Sequence, residues 1–102
     1  MERLIVVMGV SGCGKSTIGA ALAEALGGTY FDGDDFHTQE NVEKMRSGNP
    51  LTDADRWPWL TRLGKMIADE EGIVVLACSA LKRAYREKIG EAAGEPVRWW
   101  LH

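Results

Sequence analysis

The chain predicts an α/β domain in which helices cover both faces of a parallel sheet, and three observations carry that expectation. Short apolar runs rich in β-branched residues alternate with stretches whose apolar residues recur at helical spacing. A glycine-rich turn joins the first run to the first periodic stretch. The 102 residues, 45% hydrophobic and 26% charged, suffice for one compact core, so residues 1–102 are expected to form a single domain.

Taken in order, Leu4 to Met8 (LIVVM) is apolar throughout and bounded by glycine, as in a strand buried on both faces. From Ser16, the residues Ile18, Ala21, Leu22, Ala25 and Leu26 recur at i, i+3, i+4, i+7 and i+8. Gly27-Gly28 supplies the stop of that helix. Residues 29–31 (TYF) form a short second strand ending in the acidic cluster Asp32, Asp34 and Asp35. A weaker helix is expected from Thr38 to Ser47, with Val42 and Met45 facing inward and Gly48 ending it.

Thr52 and Asp55 have the spacing of a capping box, and Pro58 fits the first turn of a helix that continues to Asp69. Its inward residues are Trp59, Leu60, Leu63, Met66 and Ile67, and Trp57 and Trp59 are read as packing residues. Ile73 to Ala77 reads as the third strand. A helix over Ala80 to Ile89 follows, with Leu81, Tyr85 and Ile89 on one face, and residues 97–101 (VRWWL) read as the fourth strand.

Parallel strands with right-handed crossovers point their carboxyl ends one way, and ligands bind outside those ends. Three loops are therefore expected side by side: Gly9 to Lys15, Asp32 to His37 and Cys78 to Lys82.

Charge and composition narrow the partners. Twelve basic against 15 acidic residues, a net charge of -3, argue against a broad nucleic-acid surface. The chain has no apolar stretch near the roughly 20 residues of a membrane span and no cationic leader, so a soluble cytoplasmic protein acting on a small molecule is expected. A second copy of the chain remains an open partner. Cys13 and Cys78, without a CxxC or a Cys/His cluster, indicate neither a disulfide framework nor a zinc site, and are read as small residues near backbone turns.

Gly9, Gly14, Lys15 and Ser16 fit G-x-x-x-x-G-K-[ST], with Gly12 an additional glycine. Glycines let successive backbone N–H groups converge on anionic oxygens, while the helix that follows aims its positive dipole end at the same point. Gly9, Ser11, Gly12, Cys13, Gly14, Lys15, Ser16 and Thr17 thus form the expected nucleotide-phosphate site. Lys15 bridges the terminal phosphates, Ser16 ligates magnesium and Thr17 bonds an inner phosphate.

In DGDDFH, Asp32 and Asp34 stand two apart at a strand end, where extended geometry points both carboxylates the same way. One magnesium ligand and one proton acceptor then stand beside the phosphate loop; the alternative is a solvated acidic turn, with Asp35 as helix cap or surface charge. His37 either touches substrate or is structural.

Four stretches, GVSGCGKSTIGAALAEAL, FDGDDFH, NVEKMRSGNPLTDADRWPWL and ACSALKRAYRE, in this order and spacing, closely resemble the gluconokinases, small P-loop kinases related to shikimate kinase. The resemblance spans nearly the whole chain. It implies a P-loop kinase-type three-layer sandwich and magnesium-dependent phosphoryl transfer from ATP to the 6-hydroxyl of D-gluconate. By position it implies Lys15 and Asp34 as catalytic residues, Asp34 gripping or deprotonating the acceptor hydroxyl, with Asp32 near magnesium. Arg56 matches the position that holds an acidic substrate's carboxylate, a role that suits a planar guanidinium fork; a surface ion pair with Asp53 or Asp55 is the alternative. Lys82 and Arg86, read as one helical turn apart, add positive charge near substrate or phosphates, or else form a solvated helix face.

Family members run on beyond VRWWLH into an arginine-bearing lid and final elements that contact adenine, so a C-terminally truncated domain is expected. Three other readings stand beside this one. A shikimate kinase-type enzyme wants a glycine-rich turn after the third strand, where this chain has CSA. A GTPase switch needs an N-K-x-D guanine reader, which is absent, and DEEG (69–72) precedes the third strand instead of following it. A non-catalytic nucleotide-binding fragment or module stays open.

Overall fold

A computed structural model describes residues 2–9, 14–79 and 82–101. Its elements run β1 (Leu4–Met8), α1 (Lys15–Leu26), β2 (Thr29–Asp32), a 3₁₀ turn (Gly33–Phe36), α2 (Gln39–Arg46), α3 (Asp53–Asp69), β3 (Val74–Cys78), α4 (Arg83–Ala93) and β4 (Val97–Leu101). The sheet is parallel throughout, in the order β2-β3-β1-β4. Among the described residues, no helix is long and apolar enough to cross a membrane.

The continuous apolar runs become the central strands because both faces of the sheet are covered: β1 and β3 are buried along their whole length. Alternation divides their side chains between two cores. Leu4, Val6, Met8, Val74, Leu76 and Cys78 pack with Trp59, Leu60, Leu63, Ile67, Tyr85 and Ile89 of α3 and α4. Ile5, Val7 and Val75 pack on the other face with Ala23 of α1, joined by Ile18, Leu22 and Leu26. The three layers expected from the sequence are thus present. Cys78 belongs to the core, fully buried, while Cys13 lies outside the described residues.

α3 and α4 approach closely at Gly64. A Cβ there would stand 2.5 Å from the Ile89 carbonyl oxygen and 2.7 Å from the Ala92 Cβ, so any side chain would force the helices apart.

Three local expectations are corrected. Pro58 is not in the first turn of its helix: α3 begins at Asp53, so Pro58 sits in the second turn, inside the helix. It is tolerated because Ala54, whose carbonyl loses its N–H partner, and Pro58 both lie on the exposed face, where water can take the acceptor. In α2 the fully buried residue is polar Asn41; Val42 is half-buried and Met45 is 43% exposed. The α4 helix starts at Arg83 and runs to Ala93, past the expected end at Ile89; Ala80 and Leu81 lie outside the described residues.

At the amino edge of the sheet, Arg3 ties several elements together. Its guanidinium donates to the carbonyls of Ala68 (2.8 Å), Glu70 (2.6 Å) and Gly72 (3.0 Å). It also forms a two-pronged pair with Glu95, at 2.9 Å to each carboxylate oxygen. The positive charge thus meets the last carbonyls of α3, where the helix dipole favours it. Arg3→Ala is expected to cost about 2 kcal/mol, since carbonyls and a carboxylate lose a charged donor. For a domain of this size that lowers the thermal midpoint by roughly 10 °C, measurable by circular dichroism.

Candidate functional site

The strands that lead into the three predicted loops end side by side at the carboxyl edge of the sheet. Met8 pairs with Cys78 and Asp32 with Ala77, so Gly9 and Ser79 leave neighbouring strands side by side, with the Asp32 turn on the far side of β3. Gly14 caps α1 with φ 87°, in the left-handed region that glycine adopts without strain. Among the described residues no side chain caps α1, and none of its first-turn residues is acidic, which leaves its amino end suited to an anion. Gly9 is buried at the end of β1, and Thr17 is exposed on α1. Ser11, Gly12 and Cys13 lie outside the described residues. Lys15 and Ser16 open α1, at the positions the motif requires.

After β2 the chain does not stay extended. The Asp32 carboxylate accepts the Asp34 N–H at 3.0 Å and so caps the 3₁₀ turn over Gly33–Phe36. Asp32 and Asp34 therefore do not share one extended face, because Asp34 already belongs to the turn. The turn nevertheless delivers Asp34 and His37 to a cavity of about 430 Å³, lined also by Met45, Pro50, Leu51, Arg56, Trp59 and Ser79.

The start of α3 fixes Arg56 in that wall. Thr52 Oγ1 accepts the Asp55 N–H (3.2 Å) and Asp55 Oδ2 accepts the Thr52 N–H (2.9 Å), which completes the predicted capping box. Lys44 of α2 reaches the same carboxylate at 2.6 Å. The Lys44 ammonium, followed by the Thr52 N–H, holds Asp55 down at about 2, against an ordinary 3.8. A depressed carboxylate stabilises the fold above its ordinary range and loses that contribution as the pH falls through its folded value, so this corner loosens between about 3.8 and about 2.

Arg56 is not ion-paired with Asp53 or Asp55. One nitrogen, Nη1, donates to the Leu51 carbonyl (3.0 Å) and to the Tyr85 hydroxyl (3.1 Å). Tyr85 in turn donates to Asp53, and Lys82 donates to both Asp53 oxygens at 3.0 and 3.2 Å. The Tyr85 hydroxyl first, then Lys82, lower the Asp53 pKa, and Asp53 raises that of Lys82. Tyr85 is itself buried and meets Trp57 edge-on, with ring centroids 5.5 Å apart.

His37 stacks on Trp59 with centroids 4.0 Å apart and planes 19° apart, and Trp59 donates its indole N–H to the Gly33 carbonyl at 2.9 Å. Trp59 is thus a packing residue as expected, and also a floor for the histidine. Burial chiefly lowers the His37 pKa; Asp34 opposes that and Arg56 adds to it.

Of the expected substrate residues, Asp34, His37 and Arg56 come together. Lys82 and Arg86 do not join them in the cavity wall. Lys82 is the N-cap of α4, with ψ 141°, so it lies outside the helix and the same-face rule for residues four apart does not reach it. Its ammonium is engaged by Asp53, and Arg86 lines a separate groove of about 520 Å³ with Glu87, Glu91 and Trp99. The sequence reading missed Asn41, Ser79 and the hydroxyl of Tyr85. A lone amide on the apolar side of a weak helix is the signal that marks Asn41; the spacing of Tyr85 marks it only as an inward residue.

Residues 4–97 match the protein family described as AAA domain. The chain belongs to that family. Within it, this AAA domain is 53% identical over 99 residues to a probable gluconokinase of Xenopus tropicalis, covering 94% of this chain and 51% of the relative. It is 50% identical over 90 residues to the gluconokinase of Gluconobacter oxydans strain 621H, covering 85% and 51%. The crystal structure of a gluconokinase from Sinorhizobium meliloti 1021 superimposes with a TM-score of 0.85 at 52% identity, over 96% of this chain and 55% of that one. The chain therefore spans about half the length of the gluconokinases it matches, and kinases of this kind use a nucleoside triphosphate with a divalent ion in general.

Proposed function

We propose that this AAA domain carries the acceptor site of a gluconokinase, which transfers the γ-phosphoryl group of ATP to the 6-hydroxyl of D-gluconate and yields 6-phospho-D-gluconate. The observation that supports it best is the single cavity shared by Asp34 and His37, from the turn after β2, and Arg56 of α3, which meet beside Ser79, the first residue after β3. Each has a part in the chemistry. Asp34 accepts the proton of the attacking hydroxyl and orients its oxygen. Arg56, with Nη1 occupied by Leu51 and Tyr85, turns its remaining donors to the sugar acid's carboxylate. Met45, Pro50 and Leu51 offer apolar surface to the carbon chain.

The amino end of α1, with Gly9, Ser11, Gly12, Cys13, Gly14, Lys15, Ser16 and Thr17, holds the nucleotide phosphates, and Lys15 draws charge from the transferring group. Ser16 and Asp32 would hold magnesium, which when bound neutralises charge on the phosphates. Ser16 lies in the first turn of α1 and Asp32 ends β2, and a hydroxyl and a carboxylate are donor types that magnesium takes. Among the described residues no three His, Cys, Asp or Glu side chains gather, in keeping with an ion that retains water and phosphate oxygens.

An ADP-release assay over a panel of sugar acids tests this, run on the chain and on the chain extended by the second half of the Gluconobacter oxydans relative. Release that depends on D-gluconate is expected in the extended form. ATP binding without such release overturns the enzymatic reading and leaves a nucleotide-binding module; release driven instead by another acid overturns the substrate. Arg56→Ala in the extended form should raise the KM for gluconate about 10- to 100-fold with a smaller change in kcat, since a charged hydrogen bond is lost from the ground state. An unchanged KM would remove Arg56 from the carboxylate site.

A further inference from the structure

We infer that Asn41 is a positioning residue, which holds the His37 imidazole neutral with its proton on Nε2, so that the ring presents an N–H donor to the cavity. The inference rests on the proposed function only for the identity of the oxygen that this donor meets.

Asn41 is buried, 3% exposed, on a helix whose other residues are half-buried or exposed. Its amide nitrogen lies 2.9 Å from the Asp55 carbonyl oxygen and 3.3 Å from His37 Nδ1. Turning the amide over would set its own oxygen against the Asp55 oxygen, two acceptors facing each other, so the nitrogen must point this way. An amide nitrogen carries two hydrogens and accepts nothing. One hydrogen goes to Asp55, and the other goes to Nδ1, which has to supply a lone pair. The proton of the neutral ring is then on Nε2.

Rotation out of plane would break the stack on Trp59, which is anchored in turn by Gly33, and a half-turn within the plane would set the Cδ2 C–H, which accepts nothing, against the Asn41 amide. The charged groups facing His37 are Asp34, on the preceding turn, and Arg56 on α3. Protonating Nδ1 would set an N–H against the Asn41 amide hydrogens, and burial and Arg56 work in the same direction. Asp34 alone favours the imidazolium. Asp34 and His37 are thereby assigned opposite duties in the cavity: Asp34 accepts a proton, whereas His37 only donates a hydrogen bond, to a hydroxyl or carboxylate oxygen of the sugar acid.

The chain has two histidines, so long-range nitrogen–proton NMR spectra of the rings contain two sets of signals, and His37→Gln assigns them. The unsubstituted chain is expected to show the Nε2–H form of His37 at neutral pH, with titration displaced to lower pH, and a shift of the Nε2 signal on addition of D-gluconate. In Asn41→Asp, a carboxylate that accepts from Nδ1 should move the proton to Nδ1 and raise the His37 pKa by roughly one unit or more. A proton on Nδ1 in the unsubstituted chain overturns the inference whether or not the Asp variant folds. So does an Asn41→Asp chain that folds and keeps the tautomer and titration of the original, the result expected if Asn41 were only structural. If the tautomer is as expected but D-gluconate leaves the spectrum unmoved at millimolar concentration, the sugar-acid reading fails and the positioning role stands.

Discussion

Asp34→Asn is expected to lower kcat for gluconate phosphorylation by about 10²- to 10⁴-fold in the extended chain, the usual worth of a positioned proton acceptor. The substitution is close to isosteric, and the carboxylate it replaces is exposed on a turn capped by Asp32. The Asp34 N–H that bonds Asp32 is untouched, so stability should change by no more than about 0.5 kcal/mol. The amide can still touch the acceptor hydroxyl but cannot take its proton, so the loss should appear in kcat, with KM little altered. A second readout is independent of turnover. Asp34 raises the His37 pKa, so the Asn variant should titrate His37 at still lower pH. Asp32→Asn should instead weaken the dependence on magnesium. A fall in kcat of less than tenfold at saturating magnesium would remove the proton-accepting role from Asp34.

The layers of the fold were legible because their physics is local. Leu4–Met8 and Val74–Cys78 read as buried strands since burial on both faces removes polar alternation, and both are buried throughout. The capping box at Thr52 and Asp55 was legible because it involves residues three apart, and it proved to set Arg56. What escaped depended on contacts across the chain or on competition within a turn. Asp32 captures the Asp34 N–H and ends the strand, an outcome that the spacing of two carboxylates does not reveal. The buried side of α2 is set by Asp55, fourteen residues away, which rewards an amide at 41 more than a thioether at 45. Lys82 and Arg86 looked like neighbours on one face until the cap of α4 fell on Lys82. Of the candidate site, Asp34, His37 and Arg56 stand out in the sequence by their chemistry, but Asn41 and Tyr85, which contact His37 and Arg56, do not. Their roles exist only once α2, α3 and α4 have converged.

Trp59→Ala is expected to destabilise the chain by about 3–5 kcal/mol, a large part of the 5–15 kcal/mol typical of a whole domain. The indole is 1% exposed and belongs to the larger core, so truncation leaves a cavity against the sheet. The Gly33 carbonyl loses its donor at a buried position, a further cost on the order of 1 kcal/mol. Trp59→Phe separates the two contributions, since it keeps most of the ring volume and the stack while deleting the N–H, and should cost about 1–3 kcal/mol. Urea unfolding followed by circular dichroism measures both. The consequence reaches the site, because His37 rests on this ring and Gly33 opens the turn that presents Asp34. In Trp59→Phe, below the urea transition, the His37 ring signals should broaden or shift even though the fold is retained. A Phe variant with native stability and an unmoved His37 spectrum would show that the indole N–H is not what holds the acidic turn in place.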